Sequence, residues 1–190
     1  MVMRILKEHG FWLGNTEEKP SVHGYMDWEN LDIKMAMRDI WPEAVMWLRT
    51  DKRGQFRKTL LELNLKRLPR FERKLNQIVP ENTEWAYKSG IPYWYVWQNL
   101  DCKPILVYRP YESMLQSWID KGHADNDDTR KKLGRVHRAM VHLKHQMPVI
   151  DTDAVANGDF STVEAALAHY GYPFCEDATS RAVNPEMWNF

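Results

Sequence analysis

The chain has 190 residues, 44% of them apolar, and its 26 Lys+Arg balance 26 Asp+Glu. A chain of that length buries roughly two-thirds of its unfolded surface, so it folds without a disulfide or metal staple, and a neutral, apolar-rich composition excludes a disordered polymer. No uncharged apolar run approaches the roughly 18 residues of a membrane-spanning helix, and the N-terminus lacks a signal peptide's apolar core, so a cytoplasmic protein with no membrane partner is expected.

In chain order, Val2, Ile5 and Leu6 lie at helical spacing and Gly10 reads as the C-terminal cap of a first helix. Phe11 to Leu13 form an apolar clip, and Asn15 to Gly24 a polar loop. A helix is predicted from about Trp28 to Ile40, stopping at Pro42. Residues 55–68 read as another, with Leu61, Leu65 and Leu68 on one stripe. Pro69 is expected to break it, and a further helix with Phe71, Leu75 and Ile78 follows. Trp85-Ala86-Tyr87-Lys88 is a short strand candidate, and Tyr93 to Leu100 fits helix or strand equally.

Ile105 to Tyr108 is an apolar run of the buried parallel-strand kind. Pro110 suits the first turn of a helix whose apolar face is Met114, Leu115 and Trp118. Asp127 and Asp128 open another helix, with Leu133, Val136, Met140, Leu143 and Met147 as its core stripe. Pro148 to Asp151 is a short strand, and Asp159 or Ser161 caps a last helix through Tyr170, ended by Gly171. Strands interleaved with helices predict an α/β sheet covered on both faces.

The neutral total conceals segregation. Residues 49–74 carry ten Lys/Arg against three acids, whereas residues 151–190 carry seven acids against Arg181 alone. Such a split raises the local concentration of anionic partners on one side of a domain, although two solvated helix faces give the same pattern. A nucleotide or a sulfated or phosphorylated small molecule suits such a site. Nucleic acid is disfavoured, because the basic stretch carries no nucleic-acid-binding motif.

The most informative stretch is Lys103 to Trp118: strand, Arg109-Pro110, helix. Open α/β sheets bind anions at the carboxyl end of a parallel strand, beside a helix N-terminus. The guanidinium of Arg109 would offer a planar, permanently charged fork to phosphate oxygens there. Ser117 lies about two helical turns further on and adds a hydroxyl only if the first turn is loose. Otherwise Arg109 caps the strand end and Ser117 packs. His137, His142 and His145 share one helix but have no Cys or carboxylate partner at ligand spacing, so no metal is expected. Cys102 and Cys175 read as packing residues, and Tyr93, Trp94 and Trp97 as core or as the wall of an adenine or sugar pocket.

The segment KPILVYRPYESMLQSW resembles the sulfotransferase pattern of an apolar strand followed by R-D-P-x-D-x-x-x-S, without the Asp between Arg and Pro. In that family the Arg and Ser bind the 3′-phosphate of 3′-phosphoadenylyl sulfate (PAPS), so the resemblance gives those roles to Arg109 and Ser117. MVMRILKEHGFWLGN looks like the helix and turn after the phosphosulfate-binding loop in small phage and bacterial sulfotransferase-like proteins. His23-Gly24-Tyr25-Met26-Asp27 resembles their G-Y-x-E/D segment, and Trp85 to Lys88 their W-x-x-K strand. VIDTDAV with FSTVEAALAHYGYPF resembles their closing strand, acidic loop and helix.

The resemblance implies a three-layer P-loop-type parallel sheet flanked by helices, as a single domain over 1–190. It also implies binding of PAPS or its desulfonated product PAP, and transfer of a sulfuryl group to a hydroxyl of a small molecule or glycan. Asp27 is the candidate base, with Glu29 and His23 as alternatives, and Lys88 the candidate contact to phosphosulfate or acceptor. The family's first strand and its G-x-x-R/K-S-G-T-S/T loop are missing from the sequence. Either a preceding segment is absent, or the fold has closed differently and the catalytic half-site is gone. The alternatives are therefore a non-catalytic binding or scaffold protein that keeps the fold, and an anion-binding domain for another nucleotide. Homo-oligomerisation stays open.

Overall fold

The structure, a computed structural model, describes residues 1–16, 30–41, 53–90 and 94–183, with residues 53–65 and residue 95 described by backbone alone. In chain order the elements are α1 (Val2–Glu8), α2 (Leu31–Ile40), α3 (Arg53–Ile78), α4 (Trp94–Trp97), β1 (Leu106–Tyr108) and α5 (Tyr111–Asp120). They continue with α6 (Asp127–Leu143), β2 (Val149–Asp151), α7 (Thr152–Ala156), α8 (Ser161–His169) and α9 (Glu176–Ala182). The architecture is mixed α and β, with a two-stranded parallel sheet among the described residues. The chain divides into two compact units, Gly10–Cys102 and Met1–His9 with Lys103–Phe190. No helix among the described residues is long and apolar enough to cross a membrane.

In Gly10–Cys102, the buried Asn30 starts α2. Its side chain accepts from Ile33 N at 3.1 Å, the usual N-cap bond, and donates to Leu13 O at 3.0 Å, tying the helix to the preceding clip. α2 then buries Ile33, Ala36, Met37 and Ile40, the i, i+3, i+4, i+7 stripe of an amphipathic helix. The break expected at Pro69, after a helix over 55–68, does not occur: α3 runs through it as one helix of 26 residues. An internal proline removes one helical hydrogen bond and crowds the preceding turn, at about 3 kcal/mol or more. The turns that follow offset it. Phe71 is fully buried, edge-on to Trp41 at 5.1 Å and to Trp97 at 5.6 Å between centroids. Burial of such a side chain contributes about 1.5–3 kcal/mol, and each aromatic pair about 0.5–1.5 more. The strand expected at Trp85–Lys88 is a single parallel bridge between Trp12 and Trp85. The ambiguous aromatic stretch resolves as one helical turn, α4.

In the other unit, β1 and β2 pair in parallel with Leu106 opposite Val149, Val107 opposite Ile150 and Tyr108 opposite Asp151. α5 and α6 form the crossover between them, the long connection that parallel strands require. Asn126 caps α6 by accepting from Thr129 N at 2.9 Å, and Asp127 and Asp128 follow in its first turn, at the positive end of the helix. Leu133, Met140 and Leu143 of the expected stripe are buried, and Val136 is half-buried. Coverage of both sheet faces is incomplete. Val107 and Ile150 share a face by strand alternation; Ile150 is fully buried, while Val107 on the neighbouring strand is 42% exposed.

The helix beginning after Asp159 is not the last. α9 follows it and packs on α1, and α7 precedes it. Both additional helices have seven residues or fewer, too short to show an amphipathic period. Asp159 accepts from Ser161 N at 3.0 Å at the start of α8, and Gly171 takes the left-handed backbone (φ +77°) after its end.

Candidate functional site

The carboxyl end of the parallel pair is held by side chains that follow the strands. Pro110, with φ −54° and ψ 151°, turns the chain directly from β1 into α5, which leaves Arg109 at the junction. On the neighbouring strand, the Asp151 carboxylate accepts from Asp153 N at 2.9 Å and Ala154 N at 3.2 Å, and so starts α7 within one residue of the strand end. Thr152 Oγ1 donates to Tyr108 O at 3.2 Å, linking α7 to β1. This tight turn brings Asp153 onto Arg109. Its Oδ1 lies 3.4 Å from the buried Nε, an ion-pair distance, and its other oxygen accepts a hydrogen bond from Ser113 Oγ of α5. Asp153 thus joins the strand end, α5 and α7.

Beside this junction lies a cavity of about 230 Å3. Arg109, Ser117 and Lys132 are among its lining residues with Met114 and Trp118 of α5 and Leu133 and Val136 of α6, and the surface they present to it is almost wholly apolar. The structure therefore brings Arg109 and Ser117 to one space. It does so without the loosened first turn that the sequence spacing demanded. α5 is a regular helix from Tyr111, and the buried Ser117 meets the cavity because the cavity extends along the helix rather than sitting at its N-terminus. Trp118 carries the Lys132 ammonium 4.7 Å from its ring centroid and stacks with His123 at 4.3 Å.

The remaining sequence candidates fall elsewhere. Asp27, Glu29 and His23 lie outside the described residues, as does Tyr93. Lys88 is exposed and belongs to the Gly10–Cys102 unit. Trp97 is core: it packs on Phe71, Trp85 and Tyr87, and its Nε1 donates to Ser89 Oγ at 2.8 Å. His137 Nε2 is 3.3 Å from Tyr108 OH, and His142 Nε2 is 2.9 Å from Gln146 Nε2. Among the described residues no three of His, Cys, Asp or Glu gather in a way that could hold a metal ion. Cys102 donates through Sγ to Trp97 O at 3.3 Å, and burial, then the nearby Asp101, pushes its thiol above the usual range.

Part of the basic stretch serves its own unit. Arg67 Nη1 donates to Ile40 O at 2.6 Å, at the carboxyl end of α2, and Lys74 pairs with Asp39 at 3.1 Å. A second, wider hollow of about 920 Å3 in that unit is lined by Glu72, Glu81, Glu84 and Asp101, with Trp85 and Trp97 among its apolar residues and no Arg or Lys among the described ones.

Sequence reading missed Lys132, Ser113 and Asp153. Lys132 carried one local signal: it stands four residues before Val136, and so on the α6 face that turns toward α5. Asp153 was visible only as one acid among the seven of the C-terminal part. Compared with protein-family models, curated proteins and solved structures, the chain matches none.

Proposed function

We propose that this protein binds PAPS or PAP on a three-layer, P-loop-type sheet of the sulfotransferase kind, holding the 3′-phosphate through Arg109 and Ser117. One observation carries the reading: Arg109, which follows the parallel strand β1, and Ser117 are among the residues lining a single cavity along α5. Open α/β sheets place their ligands beside the strand end that Arg109 follows. At about 230 Å3 the cavity falls below the roughly 300–1,000 Å3 that encloses a whole small ligand, so in this reading it takes only one end of the nucleotide. PAPS, when bound, supplies the sulfuryl group for an acceptor hydroxyl on a small molecule or glycan. Asp27 takes the hydroxyl proton in this reading, and Lys88 contacts phosphosulfate or acceptor.

Calorimetric titration of PAP against the native chain, Arg109→Ala and Ser117→Ala tests it. The native chain binds. Arg109→Ala loses about tenfold or more, the value of a charge-assisted hydrogen bond, and Ser117→Ala loses less. Equal affinity in all three, or no binding by the native chain, overturns the proposal. The small volume of the cavity favours one second reading, a non-catalytic protein that binds the phosphate end alone. PAP binding with no sulfuryl transfer to any hydroxyl acceptor would select it.

A further inference from the structure

We infer that His9 is an acid-released latch between α1 and α9. As a neutral ring it joins the carboxyl end of the first helix to the amino end of the other, and on protonation it keeps its bond to α1 and lets go of Cys175. The inference is independent of the reading above.

His9 directly follows α1 as its C-cap residue, and Cys175 directly precedes α9. The ring spans the two. Its Nδ1 lies 2.9 Å from Ile5 O, and its Nε2 lies 3.2 Å from Cys175 N. Both partners are backbone groups, whose roles are fixed: a carbonyl only accepts and an N–H only donates. The nitrogen facing Ile5 therefore carries hydrogen, and the nitrogen facing Cys175 is bare. One neutral tautomer satisfies both contacts, and neither the other tautomer nor the imidazolium does. The imidazolium has hydrogen on both nitrogens, so it sets Nε2–H against the Cys175 N–H. Phe174 stacks on the ring at 6.1 Å between centroids and 25° between planes, which holds the ring in place as its proton count changes.

The two helix ends decide which contact survives. Carbonyls at the carboxyl end of a helix attract a cation, so protonation strengthens the bond from Nδ1–H to Ile5 O. The amino end of α9 presents N–H groups and repels the same charge. The charged and titratable groups around the ring are Arg4, Lys7 and Glu8 on α1, with Cys175, Glu176, Asp177 and Arg181 at α9. Glu8 and Arg181 already pair across the two helices at 3.5 Å. α1 and α9 also pack on each other, and each buries apolar residues: Val2, Met3, Ile5 and Leu6 on α1, Ala178 and Ala182 on α9. Acid therefore loosens the start of α9 without unfolding the pair.

The test is nuclear magnetic resonance of the 15N-labelled native chain and of His9→Gln, Glu8→Gln, Glu176→Gln and Asp177→Asn, at about pH 8 and about pH 5, which span the range where an imidazole takes its second proton. Ring nitrogen shifts of the native chain should place the hydrogen on Nδ1 at the higher pH, with a 15N–15N coupling through the hydrogen bond from Cys175 N to Nε2. At the lower pH that coupling should vanish. Protection of the Cys175 amide against hydrogen exchange, relative to an unstructured peptide at the same pH, should fall about two- to tenfold, the value of one such bond. His9→Gln should abolish this fall, and the three carboxylate variants should keep it. The tautomer and the coupling are read on the native chain, so they decide the matter if His9→Gln loses α1. Hydrogen on Nε2 at the higher pH overturns the inference, as does a Cys175 protection that is equal at both. A fall that persists in His9→Gln, or disappears in any carboxylate variant, overturns it too.

Discussion

The two compact units both bury apolar side chains, but they differ in what organises their most distinctive regions. In Gly10–Cys102 the centre is apolar and aromatic, with Phe71 set edge-on between Trp41 and Trp97 and Ile33, Met37 and Ile40 fully buried around them. In the other unit, the end of the strand pair is joined by directed polar contacts from Asp151, Thr152 and Asp153. Their hollows differ too: the hollow beside α5 presents an almost wholly apolar surface, whereas the described lining of the one in Gly10–Cys102 includes four acids. The contrast teaches a division of labour. Apolar packing is non-directional and carries stability, whereas hydrogen bonds and ion pairs contribute little net energy and fix where charged groups point.

The largest expected effect tests that division directly. Phe71→Ala removes a fully buried ring from the aromatic centre and should cost about 3–5 kcal/mol in urea unfolding. Arg109→Ala removes a pair whose side chains are 26% and 31% exposed, and should cost no more than about 1 kcal/mol. Equal losses from the two substitutions would break the comparison.

A smaller effect sharpens it, because one polar residue lies inside the apolar unit. Asn30 is 1% exposed and makes both a cap bond and a bond to Leu13 O. Asn30→Ala should cost about 1–3 kcal/mol, since it leaves buried backbone groups unsatisfied. Gly14→Ala should act through the same contact: its φ is +71°, and an added Cβ would sit 1.9 Å from Asn30 Nδ2. The double variant should then lose less than the sum of the two. Gly158→Ala is the control in the other unit. Its φ of +82° meets nothing within 4 Å, so it should cost only the left-handed backbone strain, about 1–2 kcal/mol. Thermal melts of the four variants measure all of this.

The smallest effect is chemical. Cys102 is half-buried with its thiol pushed above the usual range, whereas Cys175 is exposed. Mass spectrometry after brief alkylation at mildly alkaline pH should find Cys175 modified well before Cys102. For stability the sign follows from proton binding. Below the ordinary thiol range both folded and unfolded chains keep the Cys102 proton. Above it the unfolded chain releases the proton first, so stability falls as pH rises through that range. Cys102→Ser should flatten that alkaline decline, and an unchanged decline would remove Cys102 as its cause.

Much of the local structure was legible because its causes act within a turn or two. The apolar run at Leu106–Tyr108, Pro110 at the mouth of α5, the acids opening α6 and the three-and-four spacing of Leu133, Met140 and Leu143 each specify their own element. Pro69 was misleading because its penalty is local while the offsetting contact, Phe71 against Trp41 and Trp97, is made between separate segments. Trp85 to Lys88 has strand composition, but only Trp85 is bridged to Trp12. Of the candidate site, Arg109 and Ser117 were readable from one short motif, whereas Asp27 falls outside the described residues.

By itself, then, the sequence determined a strand, an arginine and a helix in that order, and it set Ser117 about two turns on from that arginine. Tertiary structure alone decided what surrounds them. Parallel pairing of β1 with β2 brings Asp153 onto Arg109, and packing of α6 against α5 brings Lys132 over Trp118. The physical reason is one of range. Caps, turns and periodicity are written within a few residues of where they act, but the charge around a cavity depends on side chains from several elements, and no local pattern records that distance.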